Sequence, residues 1–365
     1  MSPTPSSETD AKWERVRGHL DARGLHGVFL STRANFAWAT GGGDNHVGLA
    51  TEIGASTLFV SRERRVVVAD GIETPRLRAE EIRGERWEFS EFPWHDGAAR
   101  AGILRGLADG RPVESDAPMP GVPLAGPDLA ALRYVLLPEE IERYRWLGRE
   151  ASLALEGAGH GVRPGDTESA IAASIAARLL PKQIEPVVLL VAADERISSF
   201  RHPIPTARPV RRCAMLVVCA RRYGLIASLT RLVHFGLVDS GLARRNVAAQ
   251  RGDASLVRAT LPGVRWRDAL QSGIDAYARE GFEGEWRHHH QGGPTGYAGR
   301  EFRATPGEAR TILERQAFAW NPSIAGTKSE DTFLALPAGP EPLTAPQEWP
   351  SREVDGLDRA EILVL

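Results

Sequence analysis

Apolar positions along the first hundred residues switch between two periods. Trp13, Val16 and Leu20 recur at helical spacing, so residues 11–24 predict an amphipathic helix. The runs at 27–31 (GVFLS), 57–60 (TLFV) and 65–69 (RVVVA) predict strands, the last two joined by the turn-like residues 61–64. Residues 73–83 predict a further helix. Residues 109–128 are rich in Pro and Gly and form the best linker candidate, with room for one short strand.

Beyond the linker the pattern lengthens. Leu137-Pro138-Glu139-Glu140 opens a helix with Pro and two acids in its first turn, where they suit the helix dipole, and the helix is expected to run to Glu156. Asp166 is the expected N-cap of the next helix, which carries Ile171, Ile175 and Leu179 on one face. Strands are expected at 187–192, 214–219, 224–229, 230–235, 318–321, 331–336 and 361–365, and helices at 242–260 and 266–281. The organisation read from this is a leader at 1–10, a small α/β domain at 11–130, and a larger α+β domain at 137–365 with helices segregated from a mostly antiparallel sheet.

Composition narrows the function classes. The chain has 365 residues, a length that suits two domains. Its 45 basic and 47 acidic residues nearly cancel, so no electrostatic footprint for nucleic acid or anionic lipid is expected. The two cysteines, Cys213 and Cys219, lie in the apolar run CAMLVVCA and read as small core residues with cytosolic thiols. The polar start MSPTPSSETD lacks a basic, apolar targeting pattern, and no apolar run approaches the ~20 residues that span a bilayer. A cytoplasmic protein with a short disordered leader is expected.

Several segments in order carry a resemblance. They are Ser31 to Gly42 (STRANFAWATGG), Leu137 to Ile141 (LPEEI), Val162 to Glu168 (VRPGDTE), Phe200 to Thr206 (FRHPIPT) and Leu229 to Arg231 (LTR). Together with His288 to Glu301 (HHHQGGPTGYAGRE) and Ala317 to Leu336, they make the chain resemble the creatinase, prolidase and aminopeptidase P superfamily. The resemblance covers residues 12 to 345. It implies a C-terminal pita-bread domain preceded by a smaller creatinase-type N-terminal domain, and a homodimer.

The superfamily's metallopeptidases hold two divalent metals with two aspartates, one histidine and two glutamates. By the resemblance the first aspartate falls at Val217 or Cys219 and the second at Ser228. The histidine falls at Gly293 and the first glutamate at Asn321. Only Glu330 remains. Two adjacent dications need several carboxylates to offset their repulsion, and hard cations take six or so oxygen ligands. No cofactor is therefore expected, with a divalent metal as the alternative.

Creatinase is the superfamily's metal-free precedent, and its histidine matches His202. An imidazole titrates near neutrality and can move a proton to a leaving nitrogen or from water. A turn-capping role is the plain alternative. Glu330 is the second catalytic candidate, to orient His202, hold a substrate cation or act as base; Asp331 would point to the opposite face of a strand. Thr230, His290, Arg300, Asn321 and Lys328 are the substrate-binding candidates. Arg300 and Lys328 are candidate clamps for a substrate carboxylate, or else solvated cations. Creatine is not expected, because Thr230 and Asn321 replace the carboxylates that grip its guanidinium.

On a strand, His288 and His290 share a face, and with Glu330 they form the alternative metal cluster. The glycines of Gly292 to Gly296 read as a turn that brings backbone close to a ligand. Asp44, Asn45 and His46 read either as a lid or as a plain polar loop. Three functions stand: a metal-independent hydrolase or lyase acting on a C–N or amide bond of a small, amino-acid-like molecule or short peptide; an Xaa-Pro peptidase with an unusual metal site; and a non-catalytic peptide-binding module.

Overall fold

The computed structural model describes residues 8–82 and 86–365. Two compact units are present, one holding the chain up to Arg133 together with Tyr223–Leu225, the other Tyr134–Arg222 and Ile226–Leu365. Residues 1–7 of the expected leader lie outside the described part, as does Arg83 at the end of an expected helix. The last three leader residues are already helical, because the first helix spans Glu8–Arg23.

The first unit is a five-stranded mixed sheet ordered Glu88–Phe92, Arg65–Asp70, Ile53–Ser61, Gly27–Thr32, Val113–Ser115. Val113–Ser115 pairs in parallel with Gly27–Thr32, so the Pro/Gly-rich stretch at 109–128 is part of the domain and not a free linker. Asp116 from that stretch accepts hydrogen bonds from Ser31 N (2.6 Å), Thr32 Oγ1 (2.6 Å) and Asn35 Nδ2 (2.9 Å). It ties down the start of the helix Arg33–Thr40, which ends at Gly41 in the left-handed region (φ 76°) that glycine adopts without cost. The expected helix at 73–83 is a single turn, Thr74–Arg76, continuing as a π turn over Leu77–Glu81. The strand Glu88–Phe92 and the helix Gly97–Ala108 were not expected from the pattern. Asp44 is paired with Arg33 (2.8 Å) and His46 (2.8 Å), and Asn45 is fully buried, so the polar loop is knit into its own unit.

The second unit has two sheets. One is ordered Ile362–Val364, Leu225–His234, Cys213–Arg222, Glu185–Ala193; the other is ordered Glu341–Pro342, Asp331–Leu334, Ala317–Trp320, Gly292–Pro294. The runs at 224–229 and 230–235 form one strand, Leu225–His234, buried along its whole length. The sheets are stitched where that strand meets the segment at 330–332. Thr230 N donates to Glu330 O (3.1 Å), Ser228 N donates to Thr332 Oγ1 (2.8 Å), and Thr332 Oγ1 donates to Ser228 O (2.9 Å).

Helices Pro138–Gly161, Glu168–Leu179, Ser240–Ala259 and Trp266–Arg279 complete the unit. The first outruns its expected end at Glu156. Thr167, not Asp166, caps the second by accepting from Ala170 N. The last two helices pack closely because residue 273 is glycine; a Cβ there would lie 2.5 Å from Leu256 Cδ2. Trp266, Phe318, Trp320 and Phe333 build the core behind the second sheet. None of the described helices is long and apolar enough to cross a membrane.

Candidate functional site

Glu330 directly precedes the strand Asp331–Leu334, whose alternation sends it and Asp331 to opposite sides. On one side Glu330 meets Lys328 Nζ (2.5 Å), Thr230 Oγ1 (2.8 Å) and Arg300 Nη2 (3.3 Å). Burial raises its pKa, but Lys328 and Arg300 outweigh that and hold the carboxyl below the usual range. On the other side Asp331 is clamped by Arg231 (3.0 Å) and Arg359 (2.9 Å). Arg231 also pairs with Glu156 (3.3 Å), and Arg359 with Asp253. This wholly buried ionic layer fixes the strand from behind.

The histidines do not lie on a strand. Residues Glu285–His288 form a 3₁₀ turn that leaves His288 exposed, and the extended chain that follows turns His289 and His290 inward. His289 Nε2 lies 3.1 Å from His202 Nε2, and one nitrogen from each of His202, His289 and His290 falls within 4.8 Å of the others. The cluster is therefore His202, His289 and His290, in place of the expected His288 and His290. Ser323 Oγ lies 3.3 Å from His289 Nδ1 and accepts from Arg201 Nη1 (3.1 Å). Gln291 Nε2 donates to His289 O (2.7 Å) and fixes the bend.

These imidazoles are neutral at pH 7. Burial, with Lys328 and the neighbouring rings, pushes His289 down to about 2. Burial and Arg300 push His290 down to about 4. His202, the most open of the three, is lowered by burial and then by Lys328. His202 has His289 as a hydrogen-bond partner, and Glu330 bears on it through charge.

Three expected binding residues carry buried polar atoms with no partner: His290 Nδ1, Arg300 Nε and Asn321 Oδ1. Asn321 follows the ladder in which Trp320 pairs with Asp331, so one further step sets it across from Glu330. Thr230 and Lys328, by contrast, are engaged with Glu330. Buried polar groups in a folded chain are usually hydrogen-bonded, and other described atoms such as Trp38 Nε1, Ser152 Oγ and Trp266 Nε1 share this condition. A cavity of about 520 Å³ bounded by Asp194, Arg211, His234 and Arg245 holds none of the expected residues.

The two-metal group implied by the resemblance does not fit these residues. Val217 packs in an apolar cluster with Leu190, Met215 and Leu232. Cys219 is the residue beside Ser228, whose Oγ lies 3.1 Å from its Sγ, and burial pushes that thiol up. Neither pair supplies a carboxylate. Gly293 has φ 143°, and a Cβ there would lie 2.8 Å from Phe302 O, so no histidine fits that position. Gly292 likewise faces Ala319 O at 2.2 Å from an added Cβ. The glycines serve close strand approach within the protein, where a ligand-facing turn was expected. Both oxygens of Glu330 are already taken.

Sequence reasoning missed Ser323 and the inward turn of His289. The flanking glycines Gly281 and Gly284, both at positive φ, were the available sign that the histidines follow a turn.

No protein-family model matches the chain, and no curated protein matches it. Solved structures do. An Xaa-Pro dipeptidase from Bacillus anthracis is similar at 17% identity and a TM-score of 0.78, over 98% of this chain and 100% of that one. A recombinant prolidase from Thermococcus sibiricus is similar at 16% identity and a TM-score of 0.80, over 99% and 100%. The N-terminal domain of the FACT complex subunit SPT16 from chickpea is similar at 10% identity and a TM-score of 0.71, over 93% and 97%. The chain shares the two-domain fold of these structures, with the pita-bread architecture in its C-terminal part.

Proposed function

We propose that the chain is a hydrolase of the Xaa-Pro peptidase and creatinase type. It cleaves a C–N or amide bond in a small, amino-acid-like substrate without a metal. The observation that carries this reading is the group of unpartnered buried atoms on His290, Arg300 and Asn321 next to three neutral imidazoles. Arg300 and Asn321 take the substrate's carboxylate and amide, since a guanidinium binds a carboxylate through parallel hydrogen bonds. His202 takes the proton of the attacking water and passes it to the leaving nitrogen as the bond to carbon breaks. His289 is a positioning residue that holds the His202 ring. Glu330 keeps Lys328 and Arg300 in place by charge. The neighbours whose names are Xaa-Pro dipeptidase and prolidase support an amide-bond substrate such as a short peptide. The unpaired cysteines support a cytoplasmic setting, and a homodimer belongs to the same proposal.

The test is a panel of dipeptides and N-acyl amino acids, assayed with and without EDTA. His202→Ala is expected to abolish turnover with the circular dichroism spectrum unchanged, and EDTA is not expected to inhibit the parent. Turnover retained by His202→Ala ends this reading. A second reading, a peptide-binding module without catalysis, is favoured by the fold's occurrence in a FACT complex subunit. It predicts saturable peptide binding with no product over the whole panel.

A further inference from the structure

The three imidazoles have a property that the proposed hydrolysis does not use. They converge. His202 Nε2 and His289 Nε2 are 3.1 Å apart, and a nitrogen of His290 lies within 4.8 Å of both. Two nitrogens bound to one tetrahedral zinc, each at about 2.0–2.1 Å, stand roughly 3.4 Å apart. The His202–His289 pair is already near that spacing. The His290 nitrogen, within 4.8 Å of both, has to close on them to complete a three-nitrogen face.

Two further observations point the same way. His290 Nδ1 is buried without a hydrogen-bond partner, so the ring has a vacant donor or acceptor. Ser323 Oγ meets the far nitrogen of His289, the placement that orients a metal-bound imidazole in known sites. His202 is open to solvent and gives an ion a route in.

We propose that His202, His289 and His290 form a reversible site for one late-transition dication, zinc or copper, and that its occupancy switches the enzyme off. The inhibitory part rests on His202 being the proton-transfer group, because a ring bound to metal cannot exchange that proton. This site is distinct in ligands and in sign of effect from a two-metal catalytic centre.

The surrounding charge fixes the class of ion and the strength of binding. Lys328, Arg300, Arg303 and Arg201 bear on the imidazoles, opposed by Glu330. Hard cations such as magnesium and manganese need carboxylates and gain nothing here. Zinc and copper bind imidazole nitrogen well, and the site offers three such nitrogens. The same cations keep the site from holding an ion permanently, which suits regulation.

The test uses the full chain stripped with chelator. Zinc is titrated against a chromophoric competitor, and cobalt is added separately as a spectroscopic probe whose visible absorption reports a tetrahedral site. One zinc per chain is expected. His289→Gln is expected to remove binding. Ser323→Ala is expected to weaken it about tenfold, and His288→Ala to leave it unchanged. Turnover of the best substrate from the panel is expected to fall in step with zinc occupancy and to ignore magnesium. Absence of zinc binding, or binding untouched by His289→Gln in a folded variant, overturns the site and leaves the hydrolase reading standing. Binding that leaves turnover unchanged keeps the site and overturns the switch. Binding that raises turnover overturns the metal-free reading while the site remains.

Discussion

Lys328 Nζ lies 2.5 Å from Glu330 Oε2, and both side chains are nearly fully buried. An ammonium group carried by the chain itself thus neutralises the one carboxylate that the resemblance leaves in the cradle.

Removing one partner of a buried ion pair strands the other. Lys328→Met is expected to lower stability by about 3 kcal/mol, with Arg300 supplying partial compensation to Glu330. The double variant Lys328→Met, Glu330→Gln is expected to recover part of that loss. Urea denaturation of the two variants checks it; equal destabilisation in both contradicts the pairing.

Restoring the missing histidine does not restore a two-metal site. Gly293→His places a side chain where φ is 143° and the nearest backbone oxygen stands 2.8 Å from the new Cβ. The expected result is a loss of about 2 kcal/mol or more from strain and displaced backbone, with no manganese or cobalt bound at the two-metal position. Isothermal titration with manganese, beside a thermal melt, reads both.

The imidazoles set a pH limit on stability. His289 and His290 sit below their ordinary value in the fold, at about 2 and about 4. In the unfolded chain they regain protons as pH drops below about 6.5. The stability they contribute is therefore present above that value and is lost as pH falls toward the folded values. In metal-free buffer the melting temperature is expected to fall between pH 6.5 and 5, with unfolding taking up about one proton per imidazole. His289→Gln is expected to flatten that slope; an unchanged slope counts against burial of the ring.

Arg300 separates binding from chemistry. Its Nε has no partner, whereas its Nη2 meets Glu330. Lysine keeps the charge but loses the planar fork, so Arg300→Lys is expected to raise KM about tenfold for substrates with a free carboxylate. For amidated analogues it is expected to change little. A steady-state comparison of the two substrate series decides this.

Much of the scaffold was legible because its signals are local and periodic. The helix start at Leu137-Pro138 and the buried strands at 214–219 and 331–336 announce themselves by pattern. Glu330 and Asp331 were placed on opposite sides from alternation alone. His289 was hidden because alternation was applied to a stretch that is a 3₁₀ turn, which exchanged the inward and outward histidines. The unpartnered atoms of His290, Arg300 and Asn321 had no sequence signal, since satisfaction is a property of the assembled surroundings.

Asp331, held by two arginines behind the site, also encodes alignment. A deletion of one residue between Pro322 and Glu330 would exchange the roles of adjacent acids, pushing Glu330 among Arg231 and Arg359 and presenting Asp331 to Lys328. Each wrong placement strands at least one charge. The ion pairs on the two sides thus act as a key that admits a single threading of this segment, and its length is as constrained as its composition.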